Sequence, residues 1–252
     1  MDFTNKKVIV TGGSGGIGRA VAALFAEQGA QVAVHYYRNQ EGAESIVRSL
    51  PGQGHFAIGA DLTDPQAVAE FADRAAETMA GIDILVNNAG LYEDHPAAEV
   101  GYQDWLNSWD RIIKTNLLGP ANLSYCVIQH MKQRGGGRIV NVSSRGAFRG
   151  EPDAPAYGAS KGGLNSLGQS LAKALGGLGI YVFTVAPGFV DTEMAASHLS
   201  GEKKDFIINE SPLKRIAKPV EVARAVVFLA SEGSEFMTGC IVDVNGASYL
   251  RT

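Results

Sequence analysis

TGGSGGIG, residues Thr11 to Gly18, puts five glycines into eight positions close to the start of the chain. Glycine loses more conformational freedom on folding than any other residue, so such a run needs a reason. It follows the apolar run Val8-Ile9-Val10 and leads into Ile17, Val21, Leu24 and Phe25, which share one helical stripe. The run is therefore the turn of a strand–turn–helix unit. Without a Cβ, the backbone can approach a ligand closely, and the N–H groups and dipole of a helix start favour an anion. The segment fits a pyrophosphate cradle, with Gly12, Ser14, Gly16, Ile17 and Gly18 as its binding residues. Two registers fit: Gly13, Gly15 and Gly18 as G-x-G-x-x-G, or Gly12, Gly16 and Gly18 as G-x-x-x-G-x-G. Arg19-Ala20 follows where a P-loop needs Lys and Ser or Thr, so it is not a P-loop.

Outward from this unit, short β-branched runs recur at Val8–Val10, Val32–Val34, Phe56–Ile58, Ile82–Val86, Ile139–Val142, Ile180–Val185 and Ile241–Val244. They are apolar throughout, as strands buried on both faces are. Helical spacing fills the intervals. Gly29 sits where a C-cap glycine belongs, Asp64-Pro65 reads as an N-cap followed by proline, and Pro219 opens the last long helix. Ala225–Ala230 reads as a buried helix face. The pattern predicts an α/β fold: a seven-stranded parallel sheet, helices on both faces, one domain over residues 1–252.

Composition removes other classes. The net charge of −4 is spread along the chain, with no basic stripe for nucleic acid. No apolar run approaches the ~18 residues of a membrane span. Val8–Val10 begins too early to leave room for a signal peptide. Cys126 and Cys240 form no disulfide framework, which predicts a cytoplasmic location. The histidines have no metal spacing and no metal is expected; His35 ends a strand, and the other four read as loop or surface residues.

Four further segments carry chemistry: NNAG at Asn87–Gly90, Asn116 in KTNLLGP, Ser143-Ser144, and Tyr157 with Lys161 in YGASK. Four residues apart, Tyr157 and Lys161 share a helix face. An ammonium ~4 Å from a phenolate stabilises it by ~4 kcal/mol at an effective dielectric of 20, so the spacing predicts a lowered Tyr157 pKa. Tyr157 would then give a proton to a ketone, or take one from an alcohol.

Together with the glycine pattern and PGFVDT, these segments resemble the short-chain dehydrogenase/reductase family across essentially the whole chain, in the family's order. The resemblance implies a Rossmann-like, doubly wound sheet and a nicotinamide-dependent oxidoreductase acting on a carbonyl or secondary alcohol. It implies a catalytic set of Asn116, Ser144, Tyr157 and Lys161, with Ser144 on the carbonyl oxygen and Ser143 a strand-end backbone partner. Asn116, placed at the start of a long helix, would disturb that helix and hold a water; a simple N-cap fits it equally. Asn88, Ala89 and Gly90 would line the cofactor, with Asn87 structural. Asp61 and Leu62 would lie near the adenine, although Asp61 also fits a turn cap. Pro187, Gly188, Val190 and Thr192 would lie beside the nicotinamide; Thr192 also fits a helix cap.

The second strand ends VAVHYYRNQ, and the acid that favours NAD by pairing with a ribose hydroxyl is missing at Tyr36. Arg38 offers a partner for a 2′-phosphate and Tyr36 or Tyr37 a surface near the adenine, so NADPH is expected over NADH; Arg38 as a solvated loop charge would leave the site open to NAD(H) as well. SPLKRIAKPVEVARAVVFLAS resembles the 3-oxoacyl-(acyl-carrier-protein) reductase branch and its relatives, including sugar dehydrogenases. Three features depart from that branch. The Gly90–Asn116 interval is about four residues longer than usual there, with Tyr92, Glu93, Asp94, Trp105 and Trp109 in it. Leu178 stands where a basic residue often precedes the terminal Gly-Ile, and DVNGASYL near the end of the chain replaces the usual D-G-G pattern. A sugar or other small-alcohol dehydrogenase is one alternative and a non-catalytic NADP-binding sensor another. Glu193–Pro212 reads as a lid over the substrate. Helices near Asn116–Arg134 and Tyr157–Gly176 carry apolar and small residues beyond the needs of one sheet face, and with the resemblance they imply a two-fold symmetric homotetramer.

Overall fold

Each of the apolar runs becomes a strand, and the central ones bury side chains on both sides against helices. A computed structural model of the chain describes residues 1–196 and 201–251. The elements are β1 (Lys7–Val10), α1 (Gly16–Glu27), β2 (Gln31–Tyr36), α2 (Gln40–Ser49), β3 (Phe56–Gly59), α3 (Pro65–Met79) and β4 (Ile84–Asn87). Then come α4 (Tyr102–Ile113), a π-helical turn (Lys114–Leu118), α5 (Gly119–Gln133), β5 (Gly137–Val142), α6 (Gly146–Arg149) and α7 (Pro155–Leu175). The chain closes with β6 (Ile180–Pro187), α8 (Glu193–Ala196), α9 (Gly201–Glu210), α10 (Pro219–Leu229) and β7 (Ile241–Val244). The sheet runs β3-β2-β1-β4-β5-β6-β7, all parallel.

One face of the sheet is covered by α1, α2 and α10, where Val21 and Phe25 meet Val222 and Val226. The other is covered by α3, α5 and part of α7, through Phe71, Leu123, Val127, Met131 and Ala172. The strand order reverses between β1 and β4, and in such a sheet the crevice at the strand carboxyl ends opens there. The glycine turn leaves β1 and NNAG leaves β4, so both reach this crevice.

Local signals behave as expected. Asp64 accepts the Gln66 N–H at 2.9 Å, with Pro65 opening α3. Pro219 opens α10, and Gly29 closes α1 with φ +88°. Two details differ. The strand expected from Ile82 begins at Ile84, since Asp83 is taken up in accepting the Lys7 N–H. In α10, Phe228 is 50% exposed, because a helix on a sheet buries only one side. The expected lid, Glu193–Pro212, includes residues 197–200, which lie outside the described residues. No helix among the described residues is long and apolar enough to cross a membrane.

Candidate active site

The glycine turn resolves its own register. Gly12 (φ +61°) and Gly16 (φ +49°) occupy left-handed backbone that L side chains avoid. A Cβ on Gly18 would drive into the Gly12 carbonyl oxygen. Gly12, Gly16 and Gly18 are thus required; a Cβ on Gly13 would crowd only the Val34 side chain at 2.9 Å and the Val10 carbonyl at 3.2 Å. Gly15 is extended, at φ −164°, and would tolerate a side chain. The loop is tied down from below. His35 Nδ1 accepts the Gly12 N–H at 3.1 Å, and its other ring nitrogen bonds the Ala60 carbonyl. That pattern requires a neutral ring with the proton on Nε2. Burial depresses the His35 pKa to about 4, against weaker opposition from the Ala60 bond and the Asp61 charge. From the side, the Asn88 amide donates to the carbonyls of Thr11 (2.8 Å) and Gly12 (3.2 Å). Asn87 is buried and bonds Ser124 and Asn141, a structural role.

A cavity of about 340 Å³ opens above this loop. It gathers Gly12, Ser14, Gly16, Ile17, Asn88, Ala89, Gly90, Ser144, Tyr157, Lys161, Pro187, Gly188, Val190 and Thr192. These residues fit a dinucleotide: the helix start at Gly15 has no side-chain cap, which leaves its N–H groups for an anion. Val190 is pinned by a bridge to Ala217. Thr192 immediately precedes α8, and its methyl lies against Gly16.

Ser144 leaves β5, and its Oγ accepts the Gly146 N–H at 3.0 Å and hydrogen-bonds the Tyr157 phenol. Ser143 turns inward to the Lys161 carbonyl at 3.3 Å, as a strand-end partner would. Tyr157 and Lys161 share the first turns of α7, with Lys161 Nζ 5.8 Å from the Tyr157 ring centroid. Lys161 Nζ donates to the Val142 carbonyl at 2.9 Å. Here the electrostatics reverse the expectation. Burial pushes the Tyr157 phenol up to about 12; the Ser144 bond opposes this and the Glu151 charge adds to it. Burial also lowers the Lys161 ammonium to about 8. Spacing counts the charge pair but omits the desolvation that acts on both members, and desolvation wins.

Asn116 corrects a second expectation. It does not start a helix and is not an N-cap: it lies inside the π-helical turn that joins α4 to α5, fully buried. Its Oδ1 accepts the Leu91 N–H at 2.7 Å, and its Nδ2 donates to the Leu91 carbonyl and to Ser160 Oγ. The disturbed helix is present. Asn116 does not line the cavity but stands beside it, across Gly90 from Lys161.

Tyr36, Tyr37, Arg38, Asp61 and Leu62 are not on the cavity; they sit at the carboxyl ends of β2 and β3. Arg38 donates to the Tyr37 hydroxyl at 3.2 Å, and both side chains are exposed. Asp61 caps the following turn, accepting from Thr63 N at 2.8 Å and Thr63 Oγ1 at 2.7 Å. Partial burial pushes its carboxyl up, but the bonds from Thr63 and Tyr37 and the Arg38 charge outweigh that and hold it low. The Leu62 side chain points into the core.

The cavity wall also holds residues that sequence reading passed over: Arg145, Glu151, Phe189 and Glu193. Arg145 is buried, stacks 5.1 Å over the Phe189 ring and pairs with Glu210 at 2.5 Å. Burial raises the Glu151 carboxyl despite Arg149 nearby. The only signals were an acid six residues before Tyr157 and neighbours of residues already singled out. The Tyr92 ring meets the Tyr157 ring edge-on at 4.9 Å. His95, expected in a loop or on the surface, does lie in a loop but is 1% exposed; its ring meets Trp105 edge-on, beside the first turn of α7 that carries Tyr157.

A family model described as enoyl-(acyl carrier protein) reductase matches residues 12–247. The chain is 36% identical over 248 residues to a 3-oxoacyl-(acyl-carrier-protein) reductase of Staphylococcus epidermidis, covering 98% of this chain and 100% of that protein. It is 38% identical over 246 residues to the cis-4-hydroxycyclohexanecarboxylate dehydrogenase of Sinomonas cyclohexanicum, covering 97% and 96%. A crystal structure of a dehydrogenase/reductase from Sinorhizobium meliloti 1021 superposes with a TM-score of 0.88 at 30% identity, covering 99% and 97%. With the doubly wound sheet and near-complete coverage, these matches make the chain a member of the short-chain dehydrogenase/reductase family, an NAD(P)-dependent oxidoreductase acting on CH–OH or C=O groups.

Proposed function

We propose that this enzyme reduces a ketone with NADPH, with Tyr157 as the proton donor and Ser144 and Lys161 as its partners. The observation that carries this reading is that one cavity holds the glycine cradle and Tyr157, Ser144 and Lys161 together. The bound cofactor supplies the hydride. Gly12, Ser14, Gly16, Ile17 and Gly18 would receive its phosphates, Asn88–Gly90 its ribose side, and Pro187, Gly188, Val190 and Thr192 its nicotinamide end. The Ser144 hydroxyl steadies the carbonyl oxygen as negative charge grows on it. The phenol, kept protonated near pH 7 by burial, gives its proton to that oxygen. Lys161 and Asn116 hold the surrounding polar groups in place. At the end of β2, Arg38 favours NADPH, with Tyr36, Tyr37, Asp61 and the Leu62 backbone around the adenine.

For the substrate, a 3-oxoacyl-type carbonyl is the first reading, on the strength of the named reductase relative. A small cyclic or sugar alcohol is the second, favoured by the acid Glu151 in the wall and by exposed Leu178 where carrier-protein reductases place a basic residue. Exposed Leu118 and Tyr125 on the α5 side of the molecule support a homotetramer, and the lack of a disulfide framework supports a cytoplasmic enzyme built as one catalytic domain over 1–252. A nicotinamide-absorbance assay tests the reading: acetoacetyl thioesters and simple ketones with NADPH or NADH, and cyclic and sugar alcohols with the oxidised cofactors. Thioester or ketone reduction is expected. Turnover confined to alcohols selects the second reading, and tight cofactor binding with no turnover overturns both.

A further inference from the structure

The extended segment between Gly90 and α4 buries one polar ring that the reaction does not use. The His95 backbone N–H donates to the Asp153 carbonyl at 2.7 Å. His95 Nε2 accepts the Ala156 N–H at 3.0 Å, and Nδ1 lies 2.9 Å from the Glu93 carbonyl. One tautomer satisfies both ring contacts: the proton sits on Nδ1 and is donated to Glu93. Trp105 fixes the ring plane, 5.7 Å away at 61°.

Ala156 is the second residue of α7 and Tyr157 the third. The first N–H groups of a helix have no partner within it. Ala154, at the N-cap, has no side-chain acceptor, and Pro155 has no N–H. Tyr157 N reaches only the Ala154 carbonyl, at 3.0 Å. The acceptor for Ala156 therefore comes from 61 residues upstream. The turn it completes is the one that carries the Tyr157 hydroxyl.

We propose that His95 is a positioning residue, a tertiary N-cap that holds the first turn of α7 and thereby aims Tyr157 at the substrate. This rests on Tyr157 as proton donor. His95 lines no part of the cavity, so its effect falls on turnover and not on cofactor affinity.

Two variants separate its acceptor from its packing. His95→Gln keeps an acceptor and loses the ring; His95→Phe keeps a ring and loses the acceptor. His95→Gln should retain kcat within about threefold. His95→Phe should lower kcat about 10- to 100-fold, because misplacing a reacting group by about 1 Å costs on the order of 10²-fold. The NADPH dissociation constant, from fluorescence titration, should stay within about twofold in both. Amide hydrogen exchange at Ala156 should quicken about 10-fold or more in His95→Phe and not in His95→Gln. His95→Met, also without a suitable acceptor, should behave as His95→Phe does and replaces it if phenylalanine does not fold. Equal or better kcat in the acceptor-free variants than in His95→Gln, or undisturbed Ala156 protection in them, overturns the proposal. Tyr157→Phe at wild-type turnover would instead remove the proton-donor reading, and Ala156 exchange would still decide whether His95 is the cap.

Discussion

The two ends of the sheet's carboxyl edge are built on opposite principles. Beyond β5 and on the first turns of α7, Lys161 is buried and Tyr157 and Ser144 are half-buried and hydrogen-bonded to each other on one cavity wall, and burial is the largest influence on both Tyr157 and Lys161. At β2 and β3, Tyr37 and Arg38 stand in water with Asp61 alongside. Enclosure makes a single hydroxyl count, whereas solvent screens a single charge. Effects should therefore shrink on passing from the first end to the second.

The largest effect belongs to the enclosed end. Tyr157→Phe keeps the ring and removes the proton, and turnover should fall ~10²- to 10⁴-fold, since general acid–base groups contribute that much. Cofactor binding by fluorescence should persist. Turnover within tenfold of wild type would mean that enclosure does not concentrate the chemistry on Tyr157.

Next comes His35, beneath the glycine turn. Its folded pKa of about 4 lies below the ordinary 6.5, so the unfolded chain takes the proton first as pH falls. The contribution is whole above pH 6.5 and is lost progressively towards pH 4, to about 3 kcal/mol. Urea unfolding at pH 7 and pH 4 should show wild type losing about that much more than His35→Gln. Equal losses would show that His35 is not buried as a neutral ring.

Gly18→Ala should cost ~1–3 kcal/mol of stability, the usual penalty of overpacking, because the new methyl meets backbone that cannot rotate away. Gly18 is common to both registers and Gly15 belongs to only one, so Gly15→Ala should melt close to wild type, and that melt checks the register of the turn. A larger loss at Gly15 would restore the other register.

The smallest effect belongs to the open end. Arg38→Asp should raise the NADPH Michaelis constant about tenfold, the order expected for one charge-assisted bond discounted for exposure, while sparing NADH. If wild type uses NADH as well as NADPH at equal concentration, Arg38 is a solvated loop charge. A penalty larger than that of Tyr157→Phe would invert the comparison between the two ends.

Much of the molecule was legible from the chain alone. The apolar runs marked all seven strands to within a few residues, most clearly the central ones, because strands buried on both sides leave no polar face to blur them. Asp64-Pro65 and Gly29 marked helix ends through contacts that reach only a few residues. Tyr157 and Lys161 were placed on one helix by their spacing. Other features depend on neighbours distant in sequence. Both glycine registers fit the spacing, and only the left-handed backbone at Gly12 and Gly16, against the extended and open Gly15, separates them. Asn116 looked like a helix start until Leu91 and Ser160 enclosed it in a π-helical turn. His95 looked like a loop or surface histidine until Ala156 came to rest on its ring.

The sequence by itself determined the alternation of strands and helices, the position of the glycine turn and the shared helix face of Tyr157 and Lys161, because periodicity, capping and spacing are local properties; the family resemblance added Asn116 and Ser144 to the catalytic candidates. Tertiary structure alone decided which glycines are obligatory, which way the Tyr157 and Lys161 pKa values move, and which buried ring supports the catalytic helix. Those depend on desolvation and on contacts between residues tens of positions apart, and neither is fixed until the sheet and its helices have closed around the site.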